Sequence, residues 1–197
     1  METLGSFLLA ALALTGSPGP NTLALAAVGA AFGRLRGVMY MVGINLGMAL
    51  VITIVGSGIS GFLFALPGAA PVITAVAAVY FVYLAYRIAT APPLEADAEP
   101  GNAPRWYEGV VLSLINPKAY AAMAALFSGF ILVAGNPLGD TLTKAAVLMP
   151  TIITVNAGWL LAGSALTRFL RQERLSRIIN VIFAVLLIIS VIVAVLV

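Results

Sequence analysis

The sequence predicts an all-α polytopic membrane protein of six transmembrane helices, arranged as two inverted three-helix repeats with helices one and four broken. Three observations carry this. Of the 197 residues, 62% are hydrophobic and only 17 (10 basic, 7 acidic) are charged, against about 25% charged in soluble domains. The apolar residues form continuous runs, each near the roughly 20 residues that a membrane helix needs. A Pro-rich acidic stretch separates three runs from three. Continuous runs favour helices over strands, because lipid offers no partner to a backbone group outside a helix or a closed barrel.

The runs are Leu4 to Phe32, Val38 to Phe62, Ala70 to Tyr86, Trp106 to Val133, Ala145 to Leu166 and Ile178 to Val197. Glu2 stands where a signal peptide would carry a basic region, and the first run continues past any plausible cleavage point, so it is read as a retained span. Small residues recur four apart as Gly29/Gly33, Gly43/Gly47 and Gly158/Ala162. This spacing allows close helix approach, read here as packing within the bundle, with a homodimer as the other reading.

Between Thr90 and Arg105 stand Pro92, Pro93, Pro100 and Pro104 with Glu95, Asp97 and Glu99, a composition that does not build a packed element. The expected layout is a first repeat at residues 1–90, a cytoplasmic linker at 91–105 and a second repeat at 106–197. Three spans per half is an odd number, so the second half enters the membrane from the opposite side.

Arg34, Arg36, Arg87, Arg105, Arg168, Arg171, Arg174 and Arg177 all fall on one side of this arrangement, and Lys144 on the other. The cation-rich side is expected to be cytoplasmic, which places both termini outside. The cations are too dispersed for a nucleic-acid surface. The sequence has no Cys and no His, which excludes disulfides, thiolate or imidazole metal sites, haem ligation and Ser-His or Cys-His catalysis. No enzyme, metal site or cofactor is expected.

Two motifs interrupt the apolar runs. Span one contains Thr15-Gly16-Ser17-Pro18-Gly19-Pro20-Asn21. Pro18 and Pro20 supply no N–H to the carbonyls of Leu14 and Gly16, so a regular helix cannot pass and those oxygens are candidate ligands. Pro20 suits the first turn of a new helix, with unpaired N–H groups at Asn21 and Thr22 forming a partly positive end. Span four repeats the device with Asn116-Pro117-Lys118: Asn116 as N-cap, Pro117 as first helical residue, and the Ser113 carbonyl released. Each break lies twelve residues into its run, roughly 18 Å of helix, from opposite faces. Both are therefore expected near the midplane, where interrupted helices of inverted halves mark a transporter's central site.

Lys118 is the ionisable residue expected deep in a span, where an ammonium needs a partner or gives up its proton. It could bind a substrate carboxylate together with a half-helix N-terminus, carry a coupling proton, or donate to the freed carbonyls of span one. Asn45 and Asn156 are further candidates for an amine or hydroxyl, or serve as links between helices.

Ser-Pro-Gly-Pro-Asn at 17–21, the motif Leu114-Ile115-Asn116-Pro117-Lys118 and the following Ala125-Leu126-Phe127 resemble the LysE/RhtB family of amino-acid exporters, over nearly the whole chain. The resemblance implies a bacterial inner-membrane efflux protein for amino acids, driven by a proton or ion gradient. Its functional core would be Pro18, Gly19, Pro20, Asn21, Asn116, Pro117 and Lys118. Several members carry an acidic residue in span five where this chain has Asn156, so proton coupling through that position does not carry over. The expected activity is alternating-access export of a small, neutral amino acid. Its carboxylate would sit on Lys118 and the half-helix end at Asn21 or Asn116, and its ammonium on the carbonyls of Leu14, Gly16 or Ser113. An exporter of metal or inorganic ions and a non-transporting membrane scaffold are the alternatives.

Overall fold

The structure, a computed structural model, describes residues 2–58, 69–90, 103–165 and 173–196. Linker residues 91–102, the end of the second apolar run, and Arg168 and Arg171 lie outside them. The described residues form helices α1 (Glu2–Gly16), α2 (Pro20–Gly56), α3 (Ala69–Ala89), α4 (Trp106–Leu114), α5 (Pro117–Gly129), α6 (Pro137–Ala165) and α7 (Glu173–Leu196), with no strand among them. α2 and α6 are each long and apolar enough to cross a membrane, and α4 with α5, bent by 60° at their junction, make a third candidate. Large apolar side chains such as Leu9, Leu35 and Val79 stand more than 70% exposed, an outer surface suited to lipid.

Both expected interruptions are present. α1 ends at Gly16, and the helix resumes at Pro20 after an extended Gly19. α4 ends at Leu114, and α5 starts at Pro117 behind an Asn116 cap. α2 is also bent at Gly33, whose φ of 78° and ψ of 166° lie in a region open to glycine alone. This glycine supplies a corner, not the packing contact its spacing suggested: a Cβ there would meet nothing within 4 Å.

The direction of each helix follows from its contacts. The Phe7 ring near the start of α1 meets Phe130 just after α5 edge-on, with centroids 5.4 Å apart. A Cβ on Gly56, at the end of α2, would meet Phe127 and Thr141. The start of α1, the ends of α2 and α5 and the start of α6 therefore share one end of the molecule. At the other end, Arg87 of α3 pairs with Glu108 of α4 at 2.5 Å, and Tyr80 Oη donates to the Glu108 carbonyl. α1 and α4 thus run inward from opposite ends to their breaks.

Close helix crossings at glycine hold this frame. Gly43 abuts the Trp106 carbonyl, Gly47 lies over Val110 and Ser113, and Gly109 lies over Tyr40 and Ile44, so α2 and α4 touch backbone to backbone. The first half of α2 crosses α6 at Gly29 against Leu160 and at Gly163 against Ala26. The expected contact at Gly158/Ala162 is absent: a Cβ on Gly158 meets nothing within 4 Å, and the close approach falls to Gly163 instead.

Helix boundaries correct one expectation about charge. α6 begins at Pro137, ahead of the predicted start at Ala145, and takes Lys144 inside the bundle at 2% exposure. Burial is tolerated because Asp140, one turn earlier, pairs with its ammonium at 2.6 Å, and the Phe127 carbonyl accepts from it at 2.8 Å. Asp140 also accepts the N–H groups of Leu132 and Val133, closing the loop between α5 and α6. Lys118 is therefore not the lone buried cation.

Two measurements check this packing. Gly43→Val should lower stability by about 3 kcal/mol, the upper range for overpacking, in thermal unfolding in detergent, whereas Gly158→Ala should raise it by about 0.5 to 1 kcal/mol, the helix-interior difference between the two residues. Asp140→Asn should cost about 3 to 5 kcal/mol, because it leaves the Lys144 ammonium buried without its counter-charge, and Asp140→Asn/Lys144→Met should recover most of that loss.

Candidate functional site

The two breaks meet, and short polar side chains stitch them together. Asn116 Nδ2 donates to Asn21 Oδ1 at 3.0 Å, and Asn21 Nδ2 donates to Ser113 Oγ at 3.1 Å. Ser113 Oγ in turn donates to the Ile44 carbonyl at 3.0 Å. All three side chains are buried, so each hydrogen bond replaces water that the site excludes. Asn116 also works locally: its Oδ1 accepts the Lys118 N–H at 3.1 Å as a helix N-cap, which uses one of the four orphan donors of α5.

Lys118 reaches from the second break to the first. Its Nζ donates to the Ser17 carbonyl at 2.8 Å, to Ser17 Oγ at 2.8 Å and to the Pro18 carbonyl at 2.9 Å, which uses all three donors of an ammonium. No carboxylate among the described residues pairs with it, unlike Arg87 with Glu108 and Lys144 with Asp140. Gly19 makes room for the stem, since a Cβ there would lie 2.7 Å from Lys118 Cδ and 2.8 Å from Nζ. At φ −172° any residue could adopt this backbone, so the demand on Gly19 is steric.

The carbonyls that meet the lysine differ from those the sequence suggested. The Leu14 carbonyl accepts from Ser17 Oγ at 3.0 Å, Gly16 from Trp159 Nε1 at 3.2 Å, and Ser113 from the Asn116 N–H at 3.3 Å. Prolines at 18 and 20 do release the first two oxygens, but neighbouring donors close on them. The oxygens left for the lysine belong to Ser17 and Pro18, on the turn itself, where no helix geometry aims them elsewhere.

Beside this junction lies a cavity open to the surface, with about 410 Å³ of empty space counting the solvent in its mouth. Its polar wall is Thr15, Asn21, Thr22, Asn116, Lys118 and Asn156, with the backbone of Gly19 and Pro20; its apolar wall is Leu14, Met48, Ala119, Ala122, Met123 and Ile152. Asn156 is fixed by donating to Asn45 Oδ1 at 2.7 Å. Of the candidates from sequence, Gly19, Pro20, Asn21, Asn116, Lys118 and Asn156 line the cavity. Pro18 offers its carbonyl to Lys118, Asn45 stands behind Asn156, and Ser113 is buried behind Asn21. Gly16 and Pro117 shape the breaks without lining the cavity.

The sequence reading leaves out four side chains. Thr22 Oγ1 accepts the Gly19 N–H at 2.9 Å and fixes the entry to α2; a hydroxyl three residues past the cap was a usable signal. Trp159 was readable only as a bulky apolar residue. Met48 and Met123 had no signal beyond their place in apolar runs.

The N-terminal end of α2 opens on the cavity, with the N–H groups of Asn21 and Thr22 left without intrahelical acceptors, as in any helix's first turn. A partly positive helix end and an ammonium on one wall make the cavity suited to an anionic group.

Residues 12–196 match the family described as LysE type translocator. The cysteine/O-acetylserine efflux proteins of Escherichia coli (strain K12) and Salmonella typhimurium (strain LT2) are each 29% identical over 174 residues, 87% of this chain and 87% of theirs. An uncharacterized membrane protein of Vibrio cholerae is 27% identical over 186 residues, 90% of this chain and 89% of its own. No solved structure matches the chain.

The stitching can be measured. In a double-mutant cycle of Asn21→Ala and Asn116→Ala, thermal unfolding should give a coupling energy of about 1 kcal/mol or more, within the range for contacting polar pairs. Each single variant should cost more than the shared bond alone, because Asn116→Ala also removes the helix cap on Lys118 N–H, worth about 1 kcal/mol, and Asn21→Ala the bond to Ser113.

Proposed function

The chain belongs to the LysE type translocator family, whose members are membrane transporters and not enzymes, and we propose that it exports neutral amino acids or close derivatives by alternating access at the cavity between the two breaks. The observation that carries this reading is Lys118: an ammonium on a cavity wall, without a carboxylate partner among the described residues, beside the N-terminal end of α2. An α-carboxylate bridging the two would gain charge-assisted hydrogen bonds. The apolar wall of Met48, Met123 and Ile152 suits a small uncharged side chain, and the Asn45–Asn156 pair offers amide groups to a polar one.

The fixed charge of the cavity argues for a neutral cargo. A second cation on a dibasic side chain, held about 5 Å from the Lys118 ammonium, would meet about 3 kcal/mol of repulsion at an effective dielectric constant near 20, roughly a hundredfold in affinity. The relatives' names agree: cysteine and O-acetylserine are both small neutral zwitterions.

Alternating access rests on two halves, residues 1–90 and 106–197, read as inverted repeats around the site. Several contacts pair up as such a relation requires. The second half of α2 crosses α4, and its counterpart α6 contacts α1. α3, the third element of the first half, packs on α7, the last of the second. Asn21 bonds Asn116 and Asn45 bonds Asn156, each pair joining corresponding spans. The cavity is walled by the end of α1, the starts of α2 and α5, the second half of α2 and the middle of α6. Toward the end where Arg87 and Glu108 pair, the Asn21–Ser113–Asn116 link and the α2/α4 crossing close it. Rocking the halves would open that end and close the other. In this reading the cation-rich end is cytoplasmic, both termini face outward, and the protein sits in a bacterial inner membrane with a proton gradient as its drive.

Protein reconstituted in vesicles should move radiolabelled neutral amino acids in response to an imposed pH gradient, and Lys118→Ala should lower that flux about thirtyfold or more, as loss of one partner of a buried charge pair does. Undiminished flux in the variant removes Lys118 from carboxylate binding. Absence of flux for every amino acid tested, with metal ions also inert, would leave the scaffold reading.

A further inference from the structure

We propose that the Ser17 carbonyl, Ser17 Oγ and Pro18 carbonyl form an ammonium-binding subsite, which Lys118 fills while the cavity is empty and yields to the α-ammonium of the substrate. This rests on the reading of Lys118 as the carboxylate-binding group. The three oxygens lie 2.8, 2.8 and 2.9 Å from Lys118 Nζ, one for each N–H of a primary ammonium. They would receive any R–NH₃⁺ of similar bulk as well as they receive the lysine. Two of them are main-chain carbonyls of a turn outside helical pairing; the Ser17 carbonyl also accepts from Thr22 Oγ1, at a long 3.5 Å.

Exchange follows from the count of donors. With all three N–H groups committed to the cradle, Lys118 has none for a carboxylate. A substrate carboxylate at the N-terminal end of α2 attracts the ammonium out of the cradle, and leaves three oxygens without donors. Pro18 is exposed and Ser17 part-buried, so water can reach these oxygens, but three dipoles converging on one point favour a cation over water, and a zwitterion brings that group. Lysine release and substrate ammonium binding are then two parts of one step. Gly19 permits this movement, because the stem passes where any Cβ would block it. A carboxylate lacking an amine would free the lysine and leave the cradle bare, so the cradle selects for zwitterions over simple carboxylic acids.

The cradle can be probed by emptying it. In purified Lys118→Ala and Lys118→Met, ethylammonium should raise the thermal unfolding temperature, tetramethylammonium, which has no N–H donor, should not, and wild type should respond to neither. Adding Ser17→Ala to either variant should weaken ethylammonium binding about tenfold, the loss expected for one hydrogen bond to a charged group. Should neither lysine variant fold in plain buffer, ethylammonium during purification should restore monodisperse protein. A variant that is indifferent to ethylammonium in stability and recovery, or equal responses from wild type and variant, overturns the cradle. Those outcomes stand apart from the transport reading: Lys118→Ala that loses amino-acid flux but ignores ethylammonium removes the cradle alone, whereas undiminished flux in that variant removes the carboxylate role on which exchange depends.

Discussion

One interaction organises the centre of this protein: the Lys118 ammonium bound by oxygens of the turn that interrupts the first helical segment. It joins residues about a hundred positions apart. A helix interior would offer no such oxygens, because its carbonyls are already paired. The turn at Ser17-Pro18-Gly19 exposes them, and a cation is the partner that satisfies several at once. The break and the lysine are therefore one feature: the turn supplies oxygens free of helical pairing, and the ammonium supplies their donor.

Much of this could be read from the chain, because proline and glycine act on the backbone directly. Pro18, Pro20 and Pro117 mark the breaks, Asn116 marks a cap, and Lys118 is conspicuous in an apolar run. What could not be read depends on three-dimensional neighbours. Sequence identifies which carbonyls lose an N–H, but not which donors then reach them, so Gly16 was read as a ligand when Trp159 from a distant helix takes its oxygen. Lys144 was read as a boundary residue because hydropathy ignores pairing; Asp140 makes its burial tolerable. Glycines at four-residue spacing pointed correctly to close crossings at Gly43 and Gly47. The same spacing failed at Gly33, where the glycine turns the chain, and at Gly158, where no neighbour is near.

Two lysines, Lys144 buried and Lys118 part-exposed at the cavity, show how differently the bundle can hold a cation. Lys144 has a carboxylate one turn away, a carbonyl and the face of Phe127, whose centroid is 5.4 Å from Nζ. Its charge is cancelled locally, and it ties the α5–α6 loop to the helix. Lys118 has dipoles alone. Carbonyl and hydroxyl oxygens replace its hydration, but they do not cancel its charge, so the cavity beside it keeps a positive potential that an anion can answer.

Close packing and site chemistry cannot be separated here. Asparagine and serine side chains are short, and they bridge two helices only when the backbones nearly touch. Gly43, Gly47 and Gly109 allow α2 and α4 that approach, and Gly29 and Gly163 allow it for α2 and α6. The coupling is most direct at Gly47, where a Cβ would lie 2.6 Å from Ser113 Cβ and 3.1 Å from its Oγ. That hydroxyl accepts from Asn21 and donates to Ile44. A methyl group at position 47 would press on the link that holds the first break against the second, so a residue with no polar atom in its side chain controls the spacing of the polar junction.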